Sequence, residues 1–324
     1  MNPYTKKMKM NNREPVHTPV LLHEVLSGLN LSPNKNCIDG TVGLGGHARE
    51  ILKHTAPNGK LIGFDRDQSS LLLAMQNLKE FTNRFIPIHD SYAHVEQHAD
   101  SIQKVQPIHA ILLDLGLSSV QLDLAYRGFS FRFSGPLDMR FDQSRGTTAA
   151  DILNGTSEEQ LVRIFKEYGE EPHAKKIARA IVERRIEQPF HETADLVDVI
   201  ERSVPIRALH MRIHPATRVF QALRIAVNHE LEHLSQFLPH ALQHLAPGGR
   251  FAVISFHSLE DRIVKRFFKN ESTECLCPPE IPECRCNHHA SIRRITKKPI
   301  TATEEEIAQN PRARSAKLRI IEKR

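Results

Sequence analysis

The most chemically suggestive stretch is Asp39-Gly40-Thr41-Val42-Gly43-Leu44-Gly45-Gly46-His47, set between a strand candidate and the start of a helix. Glycines let a backbone approach a ligand closely, and the first turn of a helix offers N–H groups with no internal partner. Asp65 lies 20 residues after Gly45, at the end of the second strand candidate. A carboxylate there accepts hydrogen bonds from ribose hydroxyls. Together they point to a bound nucleoside rather than to a tight turn with a surface acid. Two ligands fit, a dinucleotide and S-adenosylmethionine. A dinucleotide loop must neutralise a pyrophosphate, which Asp39 would repel. The same carboxylate suits the ammonium and sulfonium of S-adenosylmethionine.

Three further groups carry potential chemistry. Cys275-x-Cys277 and Cys284-x-Cys286 bring four thiols into a short stretch. They fit a four-cysteine zinc site, although one residue between ligands is tighter than the two to four usual in such sites. Reduced, unligated thiols are the alternative, and His288 and His289 are substitute ligands. His257 follows the fifth strand candidate, at the sheet edge where ligands bind, and can reach a target base or a phosphate. On the helix from His214, Arg218, Gln221, Arg224 and Asn228 share one face, and Val219, Phe220, Ala222, Leu223 and Val227 the other. Arginine mixed with amides suits RNA backbone or base edges, and a solvated face is the plainer reading.

The elements that would position these residues alternate. Strand candidates are Asn36–Asp39, Lys60–Phe64, Phe85–His89, His109–Leu113 and Arg250–Ser255, with a last one at Ala316–Ile321. Between them, Thr18-Pro19 opens an N-capped helix, Ala48–His54 begins another, and Gln68–Phe81 presents Leu71, Leu72, Met75 and Leu78 on one face. His94–Val105 and Leu259–Lys269 are also helical, and Arg218–Leu245 is a long helical stretch broken at Pro239. This rhythm predicts an α/β fold, a doubly wound parallel sheet. It stops between residues 126 and 213, where an aromatic loop, GFSFRFSGPLDMRFD, precedes helices at Ser157–Tyr168, Pro172–Arg185 and Thr193–Val204. The expected organisation is a disordered basic arm at 1–16, a discontinuous domain at 17–125 and 214–324, and an inserted helical subdomain at 126–213.

Composition narrows the class. Hydrophobic residues make up 40% and charged residues 25% of 324, which excludes a disordered or collagen-like chain. The net charge of +6 is unevenly placed: residues 262–324 hold 15 Lys/Arg against 8 Asp/Glu, and the remainder is nearly neutral. A basic region on a neutral body points to an anionic partner, most often nucleic acid, with a solubilising tail as the alternative. No run of about 18 apolar residues is present and the first residues have no signal-peptide core, so no membrane is expected. Five cysteines, four of them crowded together, do not form a secreted disulfide framework, and the expected compartment is the cytoplasm.

Several blocks together resemble one known family. His17–Leu22 (HTPVLL), Asp39–His47, Asp114–Gln121 (DLGLSSVQ), Gly128–Asp142, His214–Asn228 (HPATRVFQALRIAVN), Ile254–Arg262 (ISFHSLEDR) and Asn310–Leu318 (NPRARSAKL) are similar to the bacterial 16S rRNA small-subunit cytosine-N4 methyltransferases. The resemblance runs from about residue 17 to the C-terminus. It implies a Rossmann-like S-adenosylmethionine-dependent methyltransferase fold interrupted by a helical, substrate-recognising insertion. It also implies methylation of the exocyclic N4 of a cytosine in the decoding centre, with 16S rRNA in the small ribosomal subunit as partner. Oligomeric state is not implied. By the same resemblance Gly45, Gly46, His47, Asp65, Tyr92, Asp114 and Gln121 contact the cofactor, with Tyr92 against the adenine.

The chemistry is alignment more than activation. A cytosine amino group is a poor nucleophile and a methyl sulfonium a strong electrophile, so the site must align nitrogen with the sulfur–methyl bond and accept N–H hydrogen bonds. Asp114, at the end of the fourth strand, is the expected catalytic residue. Other amino-methylating enzymes commonly place prolines and an aromatic after it. Here Leu115-Gly116-Leu117 follows, so one of Phe129, Phe131 or Phe133 could stack the base, with anchoring of the loop to the core the expected role of the other two. A nicotinamide-dependent dehydrogenase is disfavoured by Asp39. A non-enzymatic RNA-binding factor is disfavoured by the intact Gly43, Gly45, Gly46, Asp65 and Asp114.

Overall fold

The computed structural model describes residues 19–211, 213–278 and 283–324. The expected basic arm and the N-cap at Thr18 lie outside them. The first half runs α1 (Leu22–Leu29), β1 (Asn36–Asp39), α2 (Gly46–His54), β2 (Leu61–Asp65), α3 (Gln68–Asn77), β3 (Phe85–His89), α4 (Ala99–Gln103) and β4 (Ile108–Asp114). Helices follow at α5 (Ser119–Asp123), α6 (Ala149–Gly155), α7 (Glu158–Glu167), α8 (Ala174–Glu187), α9 (Thr193–Ser203) and α10 (Ile206–Leu209). The chain ends α11 (Pro215–Asn228), α12 (Glu230–His244), β5 (Leu245–Ser255), α13 (Ser258–Glu271), β6 (Ile292–Arg294), α14 (Glu304–Gln309) and β7 (Lys317–Lys323).

The seven strands form one sheet in the order β3-β2-β1-β4-β5-β7-β6. β1 to β5 are parallel, whereas β7 runs antiparallel between β5 and β6. The architecture is a Rossmann-like α/β fold. Alternate residues of each strand feed two cores, as strand geometry requires. Ile38, Ile111 and Val253 pack with α12 and α13, while Cys37, Leu112 and Ala252 face α1, α2 and α3. No helix among the described residues is long and apolar enough to cross a membrane.

A third core is built from helices and the aromatic loop, with no strand among the described residues. Phe165, Ile177, Ile181, Leu196 and Ile200 bury their side chains together with Phe129, Leu137 and Met139 of the aromatic loop. Val219, Phe220 and Leu223 of α11 join this cluster, so α11 packs with the inserted helices although the pattern had placed it with the returning strands.

Local differences have identifiable causes. The expected break at Pro239 is absent, and Pro239 lies inside α12. The chain turns instead at His229, whose φ of 52° is left-handed. There Arg66 Nη1 donates to Asn228 O at 2.7 Å, and the Asn228 side chain donates to Met139 O at 2.7 Å. On α3 the buried face is Leu71 and Ala74 leading to Leu78, while Leu72 and Met75 are exposed at 53% and 44%. The stretch expected as one helix from His94 starts as a 3-10 turn over Tyr92–His98 before α4. The Gly248-Gly249 turn is a bulge inside β5, where pairing jumps from Leu245 to Arg250. The three-residue β6 had no signal of its own.

Candidate active site at the carboxyl edge of the sheet

Strand order reverses between β1 and β4, and ligands bind beyond the carboxyl ends of strands at such a point. A cleft lies there. Its walls include Gly40 to Leu44, Gly46 and His47 of the glycine loop but not Gly45, with Asp65 and Arg66 after β2, Tyr92 after β3, and Asp114 to Ser118 after β4. Phe141 of the aromatic loop, Glu230 and His233 of α12, Phe256 and Glu260 after β5, and Asn310 and Arg312 complete it.

The glycine loop is held by its acid. Gly43 N donates to Asp65 Oδ2 at 2.8 Å, and Asp67 N donates to Asp65 Oδ1 at 2.8 Å. Gly45 has φ +84°, and a side chain there would press on Leu78 at 3.2 Å. Gly46 opens α2 against Pro19, which a Cβ would meet at 2.6 Å. Gly46 therefore lets the helix N-terminus approach Pro19, and Gly45 lets the loop pack against the end of α3. Burial raises Asp65 to about 6, against the N–H groups of Asp67 and Gly43.

Below the loop sits a polar row. Asp39 accepts from Thr41 N at 3.0 Å through Oδ1, and burial raises its carboxyl to about 7. His47 Nε2 lies 3.6 Å from Asp114 Oδ2, too far for a hydrogen bond. Asp39 Oδ2, both ring nitrogens of His47 and Asp114 Oδ1 are buried with no hydrogen-bond partner among the described residues. Buried polar atoms are otherwise almost always paired, so this row marks where a ligand's donors and positive charge belong. The cleft wall is acidic on balance, with Asp65, Asp114, Glu230 and Glu260 lining it against Arg66 and Arg312.

Tyr92 lines the cleft with its ring edge-on to Phe237 at 5.2 Å. Burial drives its hydroxyl pKa well up, with Glu230 and Glu260 adding to the effect. Gln121 reaches the cleft but is already employed. Its Nε2 donates to Asp67 Oδ2 at 2.8 Å and its Oε1 accepts from Ser118 N at 3.0 Å. Arg127 Nη1 donates to the same Asp67 oxygen at 2.7 Å, a buried ion pair at the N-terminus of α3.

The residues expected to meet substrate have internal partners. Arg218 Nη1 lies 3.5 Å from buried Glu171, and Gln221 Nε2 donates to Tyr168 O at 3.1 Å. Asn228 is 1% exposed and accepts from Phe141 N at 2.8 Å. His257 caps α13 through Nδ1, while its buried Nε2, 3.1 Å from Glu260 Oε1, makes no hydrogen bond among the described residues. Beside it Arg224 makes a two-pronged pair with Glu230, 2.8 Å on each arm. The polar face of α11 is thus turned into the joint between the helical core and the sheet. Of the three alternating phenylalanines, Phe129 is buried in the helical core, Phe131 packs on Phe220 at 5.2 Å, and Phe133 is 66% exposed. None lines the cleft.

Phe141 does, beneath the Arg66 guanidinium at 5.5 Å. It lies in the block that had been quoted, but its spacing did not set it apart from its neighbours. Glu230 and His233 carried no signal, because a helix break at His229 brings them in. Burial and the neighbouring Arg66 lower His233 to about 4, so its ring is neutral at pH 7. The four cysteines lie elsewhere, beyond the end of α13.

Comparison with known proteins agrees with this layout. The sequence profile of the MraW methylase family matches residues 14–324. A Syntrophotalea carbinolica protein named ribosomal RNA small subunit methyltransferase H is 51% identical over 305 residues, covering 94% of this chain and 97% of that one. A protein of the same name from Heliobacterium mobile is 50% identical over 307 residues, covering 95% and 98%. With a family match across almost its whole length, a Rossmann-like sheet, and a cleft at the switch point, the chain belongs to the MraW methylase family.

Proposed function

We propose that the chain transfers a methyl group from S-adenosylmethionine to the exocyclic N4 of a cytosine in the decoding centre of 16S rRNA, acting on the small ribosomal subunit. The observation that carries this reading is the row of unpartnered buried atoms on Asp39, His47 and Asp114 at the carboxyl edge of the sheet. The residues present fit the cofactor. An acidic cleft disfavours a pyrophosphate and favours a cationic ligand, and Asp65 offers lone pairs to ribose hydroxyls. Tyr92 and the glycine loop form an apolar, close-approach wall for an adenine. When bound, S-adenosylmethionine supplies an electrophilic methyl on a cationic sulfur.

The protein's own work is orientation. Asp114 accepts an N–H of the target amino group and faces the positive charge that grows on that nitrogen. It need not take the proton beforehand, because the N-methylated cation is strongly acidic. Phe141, fixed by Asn228 and by Arg127 Nη2, which donates to Phe141 O at 3.0 Å, is placed to stack the base in place of the three alternating phenylalanines. Arg218, Gln221 and Asn228 serve substrate indirectly, by holding α11 to the inserted segment, and His257 by capping α13. Residues 126–213 form the substrate-recognition subdomain, and the cytoplasm is the site of action.

The test incubates the chain with labelled S-adenosylmethionine and small subunits lacking the modification, then maps the labelled nucleoside. Label at N4 of one cytosine is expected, with single-turnover rates for Asp114→Asn lower by about 10²–10³-fold at saturating cofactor. Label on another nucleoside overturns the substrate assignment. A near wild-type Asp114→Asn rate removes the catalytic role.

A further inference from the structure

The four cysteines beyond α13 have no part in the cleft. Their sulfur atoms lie within 4.8 Å of one another. Cys275 Sγ is 3.4 Å from Cys284 Sγ and 3.7 Å from Cys286 Sγ, and Cys284 and Cys286 are 3.6 Å apart. All four are free thiols rather than disulfides. Four sulfurs bound tetrahedrally to zinc at ~2.3 Å stand about 3.8 Å apart. The separations among Cys275, Cys284 and Cys286 match three edges of such a cage, and Cys277 Sγ lies within 4.8 Å of each of them.

The main chain supports the same arrangement. Leu276 N points at Cys286 Sγ, Cys277 N at Cys275 Sγ and Arg285 N at Cys277 Sγ, each at 3.4 Å. Such N–H groups orient metal-bound thiolates and offset their charge. A separate observation concerns what else orders the segment. Between Phe268 and Ile292 no described residue is buried. Its base is tied where Ser291 N donates to Glu271 O at 2.9 Å and Arg324 pairs with Glu274. Its tip has the sulfurs and, among the described residues, no apolar core, and a small lobe without one depends on a staple.

We propose that Cys275, Cys277, Cys284 and Cys286 form a closed, structural zinc site that orders the lobe between α13 and β6. All four ligands are soft thiolates, which select zinc over hard, oxygen-seeking cations. No position is left open for water, so the site is structural rather than catalytic. Binding displaces the thiol protons, and ordering of the lobe is coupled to it.

The full chain, purified under reducing conditions without chelator, is expected to carry about one zinc per chain. After stripping, anaerobic titration with Co²⁺ alone should give thiolate-to-metal and tetrahedral ligand-field absorption, ending at one equivalent. Cys275→Ser/Cys284→Ser should abolish both, whereas His288→Ala and His289→Ala should leave the end point unchanged. Because no cysteine of the four lines the cleft, S-adenosylmethionine affinity of the double variant should match wild type, which reports an intact fold. If that variant does not fold, wild-type metal content and the cobalt end point decide alone. A metal-free chain without cobalt–thiolate absorption overturns the proposal, as does iron in place of zinc, or two disulfides by mass.

Discussion

Asp65 and Asp39 are both raised by burial, to about 6 and about 7, from an ordinary value of 3.8. For a carboxyl raised on folding, the native state holds the proton more tightly than the unfolded one. Its contribution to stability is present below the unfolded value and is lost as pH rises through the folded one. The free protein should therefore lose stability between about pH 4 and 7 through these two groups. A ligand that brings hydrogen-bond donors and positive charge favours the ionised forms and reverses the penalty. Affinity for S-adenosylmethionine should rise with pH up to about 6–7, falling by up to about tenfold per unit below that. Asp65→Asn should flatten part of the dependence. Calorimetry in buffers of different ionisation enthalpy would detect the released protons, and an affinity constant from pH 5 to 7 would refute the linkage. Asp65 was legible from its distance to Gly45, because strand, loop and helix lengths fix where that acid falls. Phe141 was not, because its place depends on Asn228 and Arg127, two residues far from it along the chain.

At the level of elements, the joint between sheet and inserted helices rests on a few buried polar contacts. Arg127 is 2% exposed and bridges the N-terminus of α3, through Asp67, to the carbonyls of Arg140 and Phe141. Removing one partner of a buried pair strands the other and typically costs about 3–5 kcal/mol. Arg127→Leu is expected to lower unfolding free energy by that amount in a urea titration, and Arg127→Leu/Asp67→Asn by less. Equal losses in the two would mean that the contacts to Arg140 and Phe141, not the ion pair, carry the effect. The parallel strands were readable because short apolar runs recur between helical stretches. The polar face of α11 was misleading for a physical reason. A wheel shows that arginine and amides share a side, but not whether that side meets solvent or the carboxylates of another element. Here Glu171 and Glu230 meet it.

Across the whole molecule, the excess basic charge is partly spent internally. Arg293 pairs with Glu322, Arg312 with Asp123, and Arg319 with Asp261. Arg294, Lys297, Lys298 and Arg314 are exposed and make no ion pair among the described residues. If each meets one phosphate, replacing these four with glutamine should flatten the log–log salt dependence of rRNA binding by about 3 units. The same change at Arg293 and Arg312 should flatten it less, and filter binding across a salt series distinguishes the two sets. An unchanged slope in the quadruple variant would assign these charges to solubility. β7 is inserted between β5 and β6, and Leu21 N donates to Glu306 Oε1 across 285 residues. During synthesis β1 to β4 are made before β5 can cover the open edge of β4, and the cleft wall is complete only once Asn310 and Arg312 have been made. The cleft is thus closed by residues made long after the glycine loop and Asp114, so a chain cut short before Asn310 would lack part of its wall.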